Sequence, residues 1–247
     1  MRTSGNTILI TGGGSGIGRA LAQRWHDAGN IVIVAGRRRD ALDETAVGRD
    51  NMHVAPFDAD DAASVTAFAA SVVERFPSLN ILVNNAGIMR FEDATSARDL
   101  DDAEATITTN LLGPIRLIDA LVDHLAARPD SAIVNVTSGL AFVPLPSTRT
   151  YSATKAALHS YTQALRQRLT GKVEVIELAP PAVQTDLTPG QSTRAGYQPL
   201  DEFADEVMDL FAESPTPPEI LVRNVHPLRF AERDGTVAER LAFLDSR

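Results

Sequence analysis

Thr7-Ile8-Leu9-Ile10-Thr11-Gly12-Gly13-Gly14-Ser15-Gly16-Ile17-Gly18 is a short apolar run that breaks into glycines and then into a helical pattern from Arg19 to Ala28. Thr7–Ile10 has the size and apolarity of a parallel strand buried on both faces. Glycine serves three needs directly after such a strand: a tight turn, close approach of a pyrophosphate to bare backbone, and tight packing of helix on strand. The N-terminus of the helix then presents unpaired N–H groups and a positive dipole end to the phosphates. A glycine string alone fits a flexible loop equally well. Here a second strand-sized run, Ile31–Ala35, completes a βαβ unit, which places Gly12, Ser15, Gly16, Ile17 and Gly18 at a dinucleotide.

The second strand ends at Ala35-Gly36-Arg37-Arg38-Arg39. An NAD site usually carries an acidic residue about 20 residues past the glycines, bonded to the ribose 2′-hydroxyl. A carboxylate there would repel a 2′-phosphate, whereas a guanidinium binds one through charge-assisted hydrogen bonds. The arginines therefore point to NADP(H), with Arg37 as the main contact, Arg38 as a helper and the Ser15 hydroxyl adding to them. The alternative is a solvated basic loop.

Strands and helices alternate through the rest of the chain. Asn51–Phe57 reads as a third strand, followed by Asp58, which either accepts from an adenine amino group or caps the helix starting near Asp61. Ala62–Phe76 is helical and Leu79–Val83 is a fourth strand opening into Asn84-Asn85-Ala86-Gly87. Two asparagines at a buried strand end need hydrogen bonds, so they stitch neighbouring strands or touch the cofactor. A helical pattern over 97–127 is interrupted near Asn110-Leu111-Leu112-Gly113-Pro114, where Pro114 predicts a kink. A carbonyl freed there can hold a water and give Asn110 a proton-relay role; a satisfied structural amide is the other reading. Ala132–Thr137 is a fifth strand, Tyr151–Leu169 a long helix and Lys172–Leu178 a sixth strand. The turn that follows, 179–186, offers a hydroxyl and backbone groups that suit a carboxamide. Residues 186–199 read as a mobile loop and candidate lid. Leu200–Glu213 reads as a helix, Glu219–Val225 as a last strand and Thr236–Leu244 as a terminal helix. This is an α/β pattern: one Rossmann-type, doubly wound parallel sheet of about seven strands, flanked by helices on both faces. No linker or repeat divides residues 1–247, which read as a single NADP(H)-binding domain with a substrate-side loop and helix at 186–213.

Between the fifth strand and the long helix lies the chemistry. Ser138 follows Thr137 directly, which sets its hydroxyl at the sheet edge where open α/β folds bind ligands. Tyr151 and Lys155 are four apart and share one helix face. An unperturbed phenol has a pKa of about 10. An ammonium one turn away favours the phenolate and lowers that value towards neutral, so the pair suits proton exchange with a carbonyl oxygen. Ser138 can hold and polarise that oxygen. Alone, Tyr-x-x-x-Lys is as consistent with a solvated helix face; the glycine turn and the asparagines give it weight.

The bulk composition narrows the functional classes. The 247 residues are 44% hydrophobic and 22% charged, with a net charge of −9. Such a balance is that of a globular protein and argues against nucleic acid or an anionic membrane as a partner. No cysteine is present, which excludes disulfides, thiolate metal sites and a cysteine nucleophile. His53, His124 and His226 have no metal-ligand spacing, so no catalytic metal is expected. No apolar run approaches the ~18 residues of a membrane helix, and the expected compartment is the cytoplasm.

Together, the glycine-rich turn ending at Gly18, Asn84-Asn85-Ala86-Gly87, Asn110, Ser138 and Tyr151-x-x-x-Lys155 resemble the short-chain dehydrogenase/reductase family in its compact, single-domain branch. The C-terminal part, including Leu228-Arg229-Phe230-Ala231-Glu232, looks most like a bacterial subgroup called DltE-like. The resemblance implies that Tyr151 is the acid/base, Ser138 orients the carbonyl and Lys155 binds the nicotinamide ribose. It implies that Asn110 holds a relay water, Asp58 binds adenine, Asn85 lies by the ribose, and Val183 and Thr185 contact the carboxamide. Gly36-Arg37 is similar to the NADP-preferring variant. Family members pair helices like 97–127 and 151–169, which implies a homodimer or homotetramer. Pro180-Pro181 departs from the family's Pro-Gly.

The leading expectation is a carbonyl reductase, reversible as an alcohol dehydrogenase, acting with NADP(H) on a small carbonyl or alcohol substrate. Met89, Phe91, Phe142, Val143, Leu145 and Leu187 are expected to make its pocket apolar, favouring a hydrophobic ketone or aldehyde. Arg149 reads as a surface residue or an anion contact, and His159 and Tyr161 as packing or interface residues. An epimerase or dehydratase of the extended branch is disfavoured because no substrate domain follows the sixth strand. A non-catalytic NADP(H) sensor is the reading outside enzymes.

Overall fold

β1 (Thr7–Thr11) is buried along its whole length, with parallel neighbours β2 (Ile31–Gly36) on one side and β4 (Ile81–Asn84) on the other. The computed structural model describes residues 1–246. In it, β3 (Met52–Pro56), β5 (Ala132–Val136), β6 (Glu174–Leu178) and β7 (Glu219–Ile220) complete a seven-stranded parallel sheet in the order β3-β2-β1-β4-β5-β6-β7. The chain winds outwards from β1 to β3 and then returns to the other side of β1. That reversal leaves a crevice above the carboxyl ends of β1 and β4.

Successive strand residues point to opposite faces, and β1 supplies both cores. Ile8 and Ile10 pack with Leu21 and Trp25 of α1 (Gly16–Asp27), Leu42 of α2 (Arg39–Ala46) and Phe203, Val207 and Phe211 of α7 (Leu200–Phe211). Leu9 faces the other way, towards Val65 and Val72 of α3 (Ala62–Arg75) and Leu117, Leu121 and Leu125 of α5 (Gly113–Ala126). Trp25 meets Phe211 edge to face at 5.6 Å between ring centroids, a favoured aromatic geometry. Each fully buried side chain of this kind contributes about 1.5–3 kcal/mol of transfer free energy.

Several expectations change in detail. α3 is capped by Asp61, which accepts from the Ala63 N–H at 2.9 Å, while Asp58 accepts from Asp60 N–H and does not cap. The 97–127 pattern resolves into α4 (Asp101–Ile107), a π-turn over Thr108–Leu112 and α5. The break is where expected, but the Gly113 N–H reaching back to the Thr108 carbonyl makes it. Pro114 falls in the first turn of α5, where its missing N–H costs little. The strand expected over 219–225 stops at Ile220, because the Arg223 N–H is taken by the Glu206 carboxylate at 2.7 Å and the chain coils into α8 (His226–Arg229). The catalytic-helix candidate is α6 (Arg149–Arg168), and α9 (Val237–Asp245) follows α8. No helix among the described residues is long and apolar enough to cross a membrane.

Candidate active site

The carboxyl ends of β1, β4, β5 and β6 open onto a crevice of about 520 Å³, with an adjoining recess of about 190 Å³. Gly12, Ser15, Gly16, Ile17 and Gly18 wall the crevice along one side. Gly12 sits at φ +67, and a Cβ on Gly18 would lie 2.3 Å from the Gly12 carbonyl oxygen. Both positions thus require glycine for physical reasons. Ser15 precedes α1 without capping it by its side chain, which leaves that end of the helix for an anion.

Asn85, Ala86 and Gly87 form the facing wall. Thr11 holds them: its Oγ1 accepts from the N–H groups of Asn85 at 3.1 Å and Ala86 at 3.0 Å. The Asn85 side chain donates to the Thr11 and Gly12 carbonyls, so it stitches the glycine turn to the end of β4. Asn84 donates to Asn135 at 2.9 Å and ties β4 to β5.

Arg37 and Arg38 lie exposed on the rim. Arg38 donates to the Ser15 hydroxyl at 3.2 Å, and Arg37 stands 3.7 Å from the Asp60 carboxylate. Asp58 borders the smaller recess with Gly36 and Phe57. Two guanidinium groups at one end, a helix terminus in the middle and glycine backbone beside it make a donor set suited to a phosphorylated dinucleotide.

Ser138, Tyr151 and Lys155 converge on the same crevice. The Tyr151 phenol faces the Ser138 hydroxyl, whose Oγ accepts from the Leu140 N–H at 3.1 Å. Lys155 Nζ lies 5.6 Å from the Tyr151 ring centroid and donates to the Val136 carbonyl at 2.8 Å. Burial dominates the electrostatics. It pushes the Tyr151 phenol up to about 12, against a smaller lowering by the Ser138 hydrogen bond, and pushes the Lys155 ammonium down to about 8. The lowering of the phenol expected from Lys155 does not appear in the free protein: burial dominates both groups, because desolvation penalises each charged form.

Asn110 is fully buried in the π-turn behind this wall. Its amide accepts from the Ile88 N–H at 2.8 Å and donates to the Ile88 carbonyl at 2.8 Å and to Thr154 Oγ1 at 3.3 Å. It is a satisfied amide that fastens the 87–88 stretch to α6.

Val183 and Thr185 wall the crevice, and the segment after them is stitched down. Gln191 donates to the Val183 carbonyl at 2.9 Å and to Thr185 Oγ1 at 3.0 Å, while Gln184 and Gln198 pair through backbone. The loop expected to be mobile is held by a buried glutamine that carries no recognisable local signal. Of the apolar residues expected to line the pocket, Leu187 does so; Met89, Phe91, Phe142, Val143 and Leu145 do not. Val143 is wholly buried, Phe91 is 57% exposed, and Phe142 packs on His159. Ile88, Pro180 and Pro181 supply apolar wall instead, with Arg90 beside them. Glu92 also escaped the sequence reading. Its buried carboxylate accepts from the Thr150 N–H at 3.0 Å, at the start of α6, and pairs with Arg98 at 3.0 Å. Arg149 donates to the carbonyls of Glu92 and Asp93, so it is a structural tie.

Comparison with known proteins agrees with this arrangement. The family described as short chain dehydrogenase matches residues 6–195. The chain is 39% identical over 241 residues to the oxidoreductase DltE of Bacillus subtilis, covering 94% of each chain. An alcohol dehydrogenase from the archaeon Thermococcus sibiricus, solved with 5-hydroxy-NADP, superposes with a TM-score of 0.78 at 27% identity over 90% of this chain and 97% of that one. A 3-ketoacyl-(acyl-carrier-protein) reductase from Brucella melitensis, solved with NADH, gives 0.79 at 26% identity over 88% and 96%. The matched region runs from β1 past Thr185 and takes in the glycine turn, the asparagines and the Ser138–Tyr151–Lys155 cluster, and the chain therefore belongs to the short-chain dehydrogenase family of oxidoreductases.

Proposed function

We propose that the protein is an NADP(H)-dependent carbonyl reductase, reversible as an alcohol dehydrogenase, with Tyr151 as general acid/base. The observation that carries this reading is the convergence of Ser138, Tyr151 and Lys155 on the wall of the glycine-turn crevice. The nicotinamide supplies or accepts the hydride when bound. Gly12, Ser15, Gly16, Ile17 and Gly18 hold its phosphates, Asn85, Ala86 and Gly87 its ribose side, Asp58 the adenine end, and Val183 and Thr185 the carboxamide. Arg37 and Arg38 select the 2′-phosphate. The arginines themselves support that preference; the two solved relatives hold different cofactors, 5-hydroxy-NADP in the Thermococcus enzyme and NADH in the Brucella reductase.

Burial keeps the Tyr151 phenol protonated at neutral pH, which suits a group that must give a proton to a carbonyl oxygen as the hydride arrives. Ser138 holds that oxygen through the hydroxyl that now meets Tyr151. Lys155 stabilises the phenolate that forms and binds the nicotinamide ribose. A proton relay through Asn110, whose amide bridges Ile88 and Thr154, would carry the proton on from there to water. Ile88, Pro180, Pro181 and Leu187 favour an apolar ketone or aldehyde. The exposed Leu100, Ile107 and Leu112 on and beside α4 support self-association through that face.

A panel of ketones with NADPH, read by nicotinamide absorbance, tests the assignment. Tyr151→Phe is expected to abolish turnover while NADPH still binds, as followed by its fluorescence; retained turnover would overturn the role. Arg37→Asp is expected to weaken NADPH far more than NADH, and equal losses for both would remove Arg37 from the 2′-phosphate.

A further inference from the structure

Glu177 on β6 is a wholly buried carboxylate just behind the catalytic cluster, and the chemistry above makes no use of it. Its two oxygens hold two different elements. Oε1 accepts from Thr137 Oγ1 at 2.6 Å, and Thr137 immediately precedes Ser138. Oε2 pairs with His159 Nδ1 at 2.8 Å, and His159 lies on α6. Tyr151, Lys155 and His159 are spaced four apart on α6, so they form one stripe along the helix. Each reaches the sheet at its own level: Tyr151 faces Ser138 across the crevice, Lys155 donates to the Val136 carbonyl, and His159 pairs with Glu177.

The C-terminal segment closes this network from outside. Glu219 on β7 comes within 4.8 Å of both His159 and Glu177, but Arg229 already holds it in a two-pronged pair at 2.8 and 3.0 Å. The cation beside these carboxylates is therefore supplied by the chain itself. Arg229 also stacks over Phe142 at 4.8 Å, and Phe142 packs edge-on against His159 at 4.9 Å. A Cβ on Gly139 would sit 2.8 Å from Leu228, so α8 bears directly on the turn after Ser138.

We propose that Glu177, gripping Thr137 with one oxygen and His159 with the other, is a positioning residue that sets Tyr151 in register with Ser138, and that Arg229 of the C-terminal segment clamps it in place. This inference rests on the acid/base reading of Tyr151. A buried carboxylate is costly to keep unless its hydrogen bonds are satisfied, and here they fix the two elements whose relative placement decides the reaction. A misplacement of about 1 Å in such a pair costs up to about 100-fold in rate.

The test uses Thr137→Val and His159→Leu, which remove one grip each without emptying the core, and Glu177→Gln, which keeps the shape and the acceptor for Thr137. Thr137→Val and His159→Leu are expected to lower kcat by about 10- to 100-fold, with the KM for NADPH and its fluorescence-measured Kd within about twofold of wild type. Glu177→Gln, which keeps an acceptor for Thr137, is expected to lose far less kcat than either grip variant. Without substrate, an ultraviolet difference titration against the matching Tyr151→Phe background is expected to show the phenol moving down towards about 10 in both grip variants, because loosening admits water. Wild-type kcat and an unmoved phenol in Thr137→Val and His159→Leu would overturn the proposal, as would a kcat loss matched by an equal loss of NADPH affinity. Should Tyr151→Phe itself retain turnover, the acid/base reading fails first, and the phenol titration still judges the positioning claim on its own.

Discussion

Thr11→Val is the sharpest probe of how the cofactor wall is held. Valine matches threonine in shape, so the substitution removes a hydroxyl and little else. That oxygen accepts from two backbone N–H groups, those of Asn85 at 3.1 Å and Ala86 at 3.0 Å, and donates weakly to the Val83 carbonyl at 3.4 Å. Each buried donor left without a partner costs about 1–3 kcal/mol. Asn85 and Ala86 are half-buried, so water can reach them in part and the lower end applies to each. The expected loss is about 2 kcal/mol in all, which for a chain of this length lowers Tm by about 4–8 °C. Urea unfolding with an unchanged m-value measures it, and NADPH affinity should weaken in parallel because Asn85 and Ala86 wall the crevice. A change below about 0.5 kcal/mol, the size of an ordinary surface substitution, would refute the argument that Thr11 organises the turn.

Gly18→Ala would place a methyl 2.3 Å from the Gly12 carbonyl oxygen and 2.5 Å from Asn85 Nδ2; about 1–3 kcal/mol of destabilisation and loss of NADPH binding are expected, read by urea titration and fluorescence. Lys155→Met should abolish turnover yet raise stability at neutral pH by about 1–3 kcal/mol. Burial depresses the wild-type ammonium to about 8, so the unfolded chain binds more protons and wild-type stability climbs between there and about 10.4; the variant's urea midpoint should lack that climb. Burial works to raise the Glu92 carboxyl, but the Thr150 N–H and the guanidiniums of Arg98 and Arg149 hold it below the ordinary carboxylate range. Its contribution is then complete above about pH 4.3 and lost as pH falls, and Glu92→Gln should cost about 1–3 kcal/mol at neutral pH and flatten the acid limb of the stability curve.

The fold was legible because its signals are local. An apolar strand broken by glycine and followed by a helix admits few structures, and the Tyr151–Lys155 spacing is fixed by helical geometry alone. The crevice accordingly gathers Ser138, Tyr151 and Lys155 with the glycine turn. What escaped depends on tertiary contacts. Gln191 looks like any loop glutamine until its amide is seen spanning Val183 and Thr185. Glu92 caps a helix that begins 57 residues later, which no capping pattern can show. The break at Asn110 was visible, yet proline drew attention from the five-residue hydrogen bond that makes it. Pocket lining failed for a related reason: whether Phe142 faces a substrate or a histidine is settled by α6 and the C-terminal segment, not by its neighbours in sequence.

The strand order has a consequence for how the protein comes into being. On a growing chain β1, β2 and β3 can pair as soon as they emerge, but Ile8 and Ile10 must wait for Ile81 and Val83. Until then the centre of the future sheet is a raw edge of apolar backbone, open to pairing with any other extended segment nearby. Synthesis therefore passes through an interval of exposure that ends only when β4 slots in beside β1, and sequence changes that delay this step will show first as poor yield, before any assay of the finished enzyme detects them.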